Sequence, residues 1–391
     1  MGWIMGKQFI VFFSIFLAVY GSANYYIGLR FWQSLNSFAV VNRVPFWAIY
    51  ILLAATPAIS RWATTYIKGF VSVKLSLISA YWLGITFYGF FLWLLVDMFK
   101  FAGAVLGFLS ASLVEDRGFW GMTVLTLLIF LIVWGSYNAQ RPVIKRYTIS
   151  LAKRAGHMNK LRAVLVADTH LGPIIGKRRL EKMVGMINKI NPEIIFFAGD
   201  TIDEDVPFFV ERHMPEILRK LKPRLGSYAV LGNHEYLGGH ADSAVYALEQ
   251  SGITVLRDNL VKVKDCLYIA GRDDPTVKQM TGQPRPMLRS ILSEVDPLLP
   301  LILIDHQPYD LNTAKVLGVD LLLAGHTHKG QFFPNNFITS KVFEVDWGYL
   351  KKGSLQIIVT CGFGTWGPPI RIGNRPELVE IDILFDEIEV K

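Results

Sequence analysis

Five short segments of the chain, each directly after an apolar run, carry side chains that bind metal ions. They contain five of the eight histidines in the sequence. The segments are Asp168-Thr169-His170, Gly199-Asp200, Gly232-Asn233-His234-Glu235, Asp305-His306 and Gly325-His326-Thr327-His328. The apolar runs before them, such as 164–167 and 301–304, are typical of buried strands. Polar ligands just beyond strand ends are expected at the carboxyl edge of a mainly parallel sheet, so the pattern predicts a metal-dependent hydrolase.

Beyond residue 160, short apolar strands alternate with helical stretches. Strands are predicted at 161–167, 193–198 and 227–231, with helices between them at 178–190 and 208–221. Residues 255–270 have the alternating pattern of paired strands. This order predicts an α/β layered domain with added antiparallel strands.

The ligand types indicate which ions the site would take. Carboxylate, imidazole and amide ligands together suit manganese, iron or zinc. Asp200 follows the middle strand, and its carboxylate is the natural bridge between two ions. Two divalent ions about 3.5–4 Å apart lower the pKa of a bound water and neutralise a phosphoryl group. The sequence therefore predicts a dinuclear centre.

The ordered set DxH, GD, GNH(E/D), H and GHxH resembles the calcineurin-like metallophosphoesterases over residues 150–391. The resemblance implies a four-layered α/β sandwich and a phosphoric ester hydrolase of the phosphodiesterase or pyrophosphatase type. The tail at 362–371, followed by Pro376-Glu377, is similar to a bacterial subfamily of membrane-associated or exported phosphoesterases. Transmembrane members of that subfamily carry several spans before the domain.

The resemblance also implies which residues bind each ion. The first ion would be held by Asp168, His170, Asp200 and His328. The second ion would be held by Asp200, Asn233, His306 and His326.

Further residues are implied beside the ligands. His234 would stabilise the transition state or protonate the leaving oxygen, while a hydroxide bridging the metals at Asp200 attacks phosphorus in line. Asp203 is expected to support the ligands without binding metal. Asp305 stands where the family often has a small residue, and it would either support His306 or face solvent.

Residues 1–140 carry most of the apolar excess of a chain that is 52% hydrophobic. A membrane helix needs about 20 apolar residues. Four stretches reach or approach this length, at 9–29, 44–60, 75–97 and 119–138. The stretch 101–114 is shorter, and an interfacial or re-entrant helix is expected there. We therefore predict an α-helical transmembrane bundle over 1–140 and the catalytic domain over 141–391.

The basic residues that flank the four stretches predict their orientation. Seven lie on the side of the N-terminus and four on the other side. The positive-inside rule then places the N-terminus and the catalytic domain in the cytoplasm. We expect a multi-pass protein of the bacterial inner membrane, although a fifth span would reverse the side of the domain.

The net charge of +8 is compatible with nucleic acid or an anionic membrane. No aromatic-basic RNA motif occurs, so nucleic acid is not an expected partner. Residues 141–162 are basic and lack any acidic residue. They form either a solvated entry strand or a polybasic strip lying on anionic headgroups.

A site beside headgroups suggests a lipid-linked phosphodiester or pyrophosphate as substrate, with membrane lipids as partners. Trp366, Arg371 and Arg375 are the candidates for contacting it. Two alternatives stay open: an anchored phosphodiesterase acting on soluble, nucleotide-type substrates, and a non-catalytic metal-binding scaffold or sensor. The sequence predicts no oligomeric state.

Overall fold

The structure of the protein, a computed structural model, describes residues 2–67 and 69–386, and their side chains except those of residues 2–13, 64 and 65. The chain forms two compact units, Met1–Gly135 and Ser136–Lys391. The predicted boundary falls a few residues later, between 140 and 141.

The first unit is helical. Its helices are α1 (Gly2–Leu35), α2 (Arg43–Ala54), α3 (Thr56–Tyr66), α4 (Phe70–Val105), α5 (Ala111–Glu115) and α6 (Arg117–Ala139), the last of which ends in the second unit. Among the described residues, α4 and α6 are long and apolar enough to cross a membrane. The pair α2 and α3 passes the same test together but is bent by 49° at its break. The number of spans stays a prediction.

Two helix boundaries differ from the predicted ones. The stretch 44–60 is divided between α2 and α3. Pro57 lies in the first turn of α3, and it has no N–H to donate to a carbonyl of the preceding turn, as a continuous helix would require. Helix α4 continues through Lys100 to Val105, so no separate helix fills 101–114. The turn comes at Gly107, whose φ of +73° favours glycine, and only the short α5 follows.

Aromatic side chains form the core of the first unit. Tyr50, Trp82, Trp93 and Trp120 are all buried there. Asn24 is buried among them, and its Oδ1 accepts hydrogen bonds from Trp82 Nε1 at 3.2 Å and from Thr86 Oγ1 at 3.3 Å. A buried amide is tolerated in an apolar core because its polar atoms are paired.

The second unit contains two stacked sheets of six strands each, counted over the described residues. The first sheet consists of β1 (Val143–Leu151), β2 (Lys160–Val166), β3 (Ile194–Ala198), β4 (Ser227–Val230), β5 (Thr254–Val255) and β12 (Glu377–Phe385). Its order is β1-β12-β2-β3-β4-β5. Strands β2 to β5 run parallel, while β12 is antiparallel to β2 and parallel to β1.

The second sheet has the order β10-β11-β9-β8-β7-β6. Its strands are β6 (Asn259–Val263), β7 (Leu267–Gly271), β8 (Leu301–Ile304), β9 (Leu321–Ala324), β10 (Gly348–Lys352) and β11 (Leu355–Val359). Strands β7, β8, β9 and β11 run parallel, and antiparallel strands close both edges. The predicted paired strands over 255–270 therefore correspond to the β6–β7 hairpin, whereas β5 joins the first sheet.

Helices cover the outer faces of both sheets. They are α7 (Lys177–Ile190), α8 (Val206–Glu211), α9 (Met214–Leu218), α10 (Asn233–Leu237), α11 (Ala241–Gln250), α12 (Thr276–Thr281), α13 (Leu288–Ile291), α14 (Leu311–Val316) and α15 (Asn336–Val342), with a 3₁₀ turn at His328–Gly330. Leu165 and Ile302 pack between the sheets, while Phe197 and Leu303 face the helices. These helix, sheet, sheet and helix layers confirm the predicted α/β sandwich.

Candidate metal centre

The metal-ligand segments lie at the carboxyl ends of the parallel strands of both sheets. Asp168 and His170 follow β2, Asp200 follows β3, and Asn233 begins α10 after β4. In the other sheet, His306 follows β8, and His326 and His328 follow β9. Because the two sheets are stacked with these ends together, ligands that are far apart in sequence meet in one site.

Several of these turns have left-handed backbone conformations. Asp168, His170, Asp200, His326 and His328 all have positive φ, between +45° and +70°. Such a conformation costs about 1–3 kcal/mol for a residue with a side chain, and it concentrates at functional sites. Here it turns each side chain back across the end of its strand.

One group of ligand atoms lies around His170. The Nε2 atoms of His170 and His328 are 3.1 Å apart. His328 Nε2 is 3.7 Å from Asp168 Oδ1, and His170 Nε2 is 3.9 Å from Asp200 Oδ2. All four side chains are buried.

A second group lies around His306. Its Nε2 is 3.2 Å from Asp200 Oδ2, from Asn233 Oδ1 and from His326 Nδ1. His326 Nδ1 is also 3.0 Å from Asn233 Oδ1. Asp200 Oδ2 therefore faces both groups, and the structure brings together all seven side chains assigned to the metals.

The donor atoms fit divalent ions. The carbonyl of Ala198 lies 2.8 Å from His306 Nδ1, so it accepts the Nδ1–H and leaves Nε2 with a lone pair facing the other ligands. Ligands about 2.1 Å from one ion lie about 3–4 Å apart, depending on the angle between them, and the distances within the two groups range from 3.0 Å to 3.9 Å. Lone pairs that converge in this way repel each other unless a cation lies between them.

Buried charges shift the pKa values of these carboxylates. Burial raises the pKa of Asp168 to about 6, against the opposing effect of His306. Burial also acts to raise the pKa of Asp200, but His306 and the other imidazoles outweigh it and hold the pKa well below its usual value. Asp200 is thus the ligand most firmly held as a carboxylate.

His234 lies beside the first group with Asp203 behind it. Its Nδ1 is 2.9 Å from Asp203 Oδ1, and its ring contacts the ring of His170 edge-on at 4.6 Å between centroids. Burial alone would lower the pKa of His234, but Asp203 and the charge of Asp200 together raise it to about 9. Asp203 also lies 3.6 Å from His170 Nδ1, so it contacts both imidazoles, and His170, Asp203 and His234 form a further group that could hold an ion.

Glu235 is a structural residue of the site to which the sequence assigned no role. Its buried carboxylate accepts backbone N–H groups from Gly232 at 2.7 Å, Ile202 at 2.9 Å and Asp200 at 3.2 Å. It joins the turns after β3 and β4, which carry Asp200 and Asn233. Its position directly after Gly-Asn-His is the sequence feature that could have indicated this role.

Asp274 was also missed, because it follows β7 as one member of an Arg-Asp-Asp run with no metal-ligand spacing. It is buried and accepts hydrogen bonds from Gln307 Nε2 at 2.9 Å and from the Thr276 N–H at 2.8 Å. It therefore fixes the residue that follows His306.

The structure does not support the predicted substrate contact of Arg371. Arg371 is fully buried, and its guanidinium donates to the carbonyls of Cys361 and Gly364, both at 2.7 Å, and to Asn374 Oδ1 at 2.9 Å. Its burial and these acceptors leave its guanidinium without a surface for a substrate in this structure. Its Nη2 lies 3.3 Å from His328 Nδ1, so Arg371 positions a ligand.

The other two candidates for substrate contact are exposed. Arg375 donates to the Arg141 carbonyl, from Nη2 at 2.9 Å and from Nε at 3.1 Å. Trp366 is 58% exposed, and its ring lies 6.3 Å from the ring of His234. A substrate contact by these two residues stays a prediction, with Trp366 beside the metal centre.

One of the two predicted roles of Asp305, exposure to solvent, is wrong. Its carboxylate is buried and pairs with Arg285 at 3.1 Å and Arg272 at 3.6 Å. Two arginines offset the cost of burying this charge. Asp305 therefore does not face solvent, and it anchors the segment after β7. Its predicted support of the neighbouring His306 stays a prediction.

The fold and the converging ligands define the class: a two-sheet α/β domain with a candidate metal centre at its strand ends. Residues 161–330 match the family model described as Calcineurin-like phosphoesterase. An uncharacterized metallophosphoesterase of Aquifex aeolicus is 34% identical over 243 residues, which cover 61% of this chain and 91% of that protein. The chain belongs to the calcineurin-like metallophosphoesterase family, and membership implies a metal-dependent phosphoester hydrolase.

Of two further relatives, one is named a transmembrane protein and the other matches most of this chain. A transmembrane protein with metallophosphoesterase domain of Danio rerio is 33% identical over 285 residues, which cover 70% of this chain and 65% of that protein, just under two thirds of its length. An uncharacterized metallophosphoesterase of Helicobacter pylori is 26% identical over 371 residues, covering 92% of this chain and 95% of that protein. Together with α4 and α6, the similarity to the Danio rerio transmembrane protein indicates a membrane protein.

Proposed function

We propose that the protein is a membrane-bound phosphoesterase with two divalent ions, manganese, iron or zinc, that hydrolyses a phosphodiester or pyrophosphate bond of a lipid-linked substrate. The observation that carries the proposal is the convergence of seven ligands in two groups that share Asp200, in a chain with candidate membrane spans. A metal site that only stabilised the fold would not need a carboxylate shared between two ligand groups.

The two ligand groups match the two expected ions. Asp168, His170 and His328 would hold one ion, Asn233, His306 and His326 would hold the other, and Asp200 would join them. Bound there, the ions would activate water for attack on phosphorus and neutralise the phosphoryl charge. The protein fixes the ligands through its backbone, as in the contact between His306 Nδ1 and the Ala198 carbonyl.

His234 supplies the proton chemistry. Asp203 holds Nδ1 of His234, which leaves the Nε2–H to donate to a phosphoryl or leaving oxygen. The raised pKa of His234 keeps it protonated near neutral pH. It can therefore stabilise charge on the departing alkoxide or phosphate.

The lipid-linked substrate is supported by contacts between the end of α6 and the loop that carries Arg371. Within the second unit, Asn138 Nδ2 donates to the Arg371 carbonyl at 3.3 Å, and Arg375 donates to the Arg141 carbonyl. The chain that continues from a candidate span is thus bonded to a loop of the metal centre. We place this site on the cytoplasmic face, as the basic residues around the spans predict.

The test uses full-length protein in detergent, reloaded with each metal in turn. Bis(4-nitrophenyl) phosphate serves as the soluble diester, a total bacterial lipid extract supplies lipid substrates, and phosphorus NMR detects the products. We expect turnover of both, loss of both in Asp200→Asn, and wild-type rates in Glu216→Gln, where an exposed residue pairs with His213. Turnover of the soluble diester alone would contradict a lipid substrate. Absence of any turnover in metal-loaded protein would contradict catalysis.

A further inference from the structure

Helix α15 exposes three apolar side chains together with Ser340 and Lys341, while Asn336 and Thr339 are half-buried. Phe337, Ile338 and Val342 are 57%, 61% and 57% exposed, and we call these three residues the apolar ridge. Thr339 instead donates its hydroxyl to Asp346 Oδ2 at 2.6 Å, and Asn336 Oδ1 is buried. A surface helix of a soluble domain has the opposite arrangement, so water is not the expected environment of this face.

The ridge lies next to the metal centre. Phe343, which follows α15 directly, has its ring 6.1 Å from the ring of the metal ligand His326. Before α15 in the chain, the side-chain amide of Gln331 donates to the Trp366 carbonyl and accepts from the Trp366 N–H, both at 2.8 Å. Trp366 in turn lies beside His234. The apolar ridge and Trp366 therefore both lie beside the metal centre. The two chain segments that carry them are hydrogen-bonded to each other through Gln331.

Basic residues share this side of the domain. Lys145 and Lys329 both lie over the ring of Trp347, at 5.3 Å and 3.5 Å from its centroid. Trp347 is the neighbour of Asp346, to which α15 is bonded. Lys145 belongs to a stretch with no acidic residue between Asp116 and Asp168. An apolar face with adjacent lysines is complementary to acyl chains below anionic headgroups.

We propose that the apolar ridge docks the catalytic domain into the surface of an anionic lipid bilayer. Phe337, Ile338 and Val342 lie among the acyl chains, while Lys341, which is exposed on the same helix, and Lys145 contact the headgroup phosphates. The docked ridge gives a lipid-linked phosphoester a path from the bilayer to the metal ions past Trp366. The docking stands independently, and only this path rests on the proposed lipid substrate.

Docking is tested by the position of a fluorescent label. Both native cysteines, Cys266 and Cys361, are buried, so a thiol-reactive dye reports an added exposed cysteine. Ile338→Cys labels the ridge, and Tyr246→Cys is the matched control on α11, which contacts β5 at the edge of the first sheet opposite β1. Full-length protein is placed in vesicles of phosphatidylcholine and phosphatidylglycerol, with and without bromine on the acyl chains. Bromine should quench the dye at 338 at least about twofold and barely affect the dye at 246. Equal quenching at both positions would overturn the docking.

The path to the site is tested with the double variant Phe337→Ser, Ile338→Ser and the control Tyr246→Ser. We expect hydrolysis of bis(4-nitrophenyl) phosphate to be unchanged in both, which also reports an intact fold. Turnover of the bilayer lipid extract should fall about tenfold in the double variant alone. Quenching at 338 without lipid turnover by the wild type would uphold the docking and overturn the lipid substrate. Full lipid turnover by the double variant, without quenching at 338, would overturn the docking and leave the proposed function in place.

Discussion

At the scale of single residues, the metal centre depends on side chains outside the seven assigned ligands. Asp203 holds His234 and lies near His170. Arg371 donates hydrogen bonds to carbonyls of the loop beside His328. Glu235 holds the turns after β3 and β4. Each is charged and at least partly buried, so each contributes through the geometry it imposes on a ligand.

Asp203→Asn should slow hydrolysis of a soluble diester about 100-fold and change its pH dependence. Asp203 raises the pKa of His234, so its loss lowers that pKa from about 9. If protonated His234 donates the proton, the rate falls as pH rises through this pKa, and the alkaline limb of the profile moves to lower pH. Asp205→Asn is the control, since Asp205 caps α8 through the Phe208 N–H. An unmoved alkaline limb would contradict the role of His234.

Arg371→Lys should destabilise the protein by more than about 2 kcal/mol, because a lysine cannot satisfy the carbonyls of Cys361 and Gly364 together with Asn374. Thermal unfolding of the purified protein measures the loss. Arg375→Lys is the matched control, as Arg375 is exposed and bonds a single carbonyl. A raised KM at unchanged unfolding temperature in Arg371→Lys would instead support the original prediction of substrate contact.

At the scale of elements, tight turns bring the ligands within reach of each other. Glycines permit the closest approaches. A Cβ at Gly232 would overlap the carboxylate of Asp200, and one at Gly325 would come within 2.5 Å of Asp168 Oδ2. The glycines in the Gly-Asp, Gly-Asn-His and Gly-His-Thr-His segments are therefore part of the site geometry.

Gly232→Ala should reduce bound metal to less than half of the wild-type content, because the added methyl displaces the bridging Asp200. Elemental analysis of purified protein measures the metal. Gly185→Ala is the control: Gly185 lies within α7 with open space around its Cα, and alanine there should stabilise the helix by about 0.5–1 kcal/mol. Wild-type metal content in Gly232→Ala would show that Asp200 does not need this close approach.

At the scale of the whole molecule, the spans decide which compartment the catalytic domain faces. The charge bias around the predicted spans favours the cytoplasm. Helices α4 and α6 qualify as spans by length and hydropathy, and α2 with α3 forms a bent pair. The side of the domain therefore depends on whether α1 and the bent pair each cross the membrane.

A membrane-impermeant thiol reagent tests this orientation in intact cells. Val40→Cys, in the exposed turn between α1 and α2, should be labelled from outside. Tyr246→Cys in the catalytic domain should be labelled only after the cells are permeabilised. The buried native cysteines provide a low background. Labelling of residue 246 in intact cells would place the catalytic domain on the outer face.

The sequence determined the fold class and identified the ligand segments. Both depend on local patterns, namely the apolar residues of each strand and the polar residues that follow the strand. Strand β1 was expected only as a solvated or headgroup-bound segment, yet it pairs with β12 more than 200 residues away. Local hydropathy does not encode such a partner. The same limit explains Arg371 and Asp305, whose charges suggested exposure.

Only the tertiary structure placed those two side chains in the interior, because the free energy of a buried charge depends on its partners. For Arg371 the partners are carbonyls of its own loop, and for Asp305 they are two arginines. Neither set of contacts could be predicted from the sequence. The sequence determined which residues can bind metal, and the tertiary structure decided which residues hold those ligands in place.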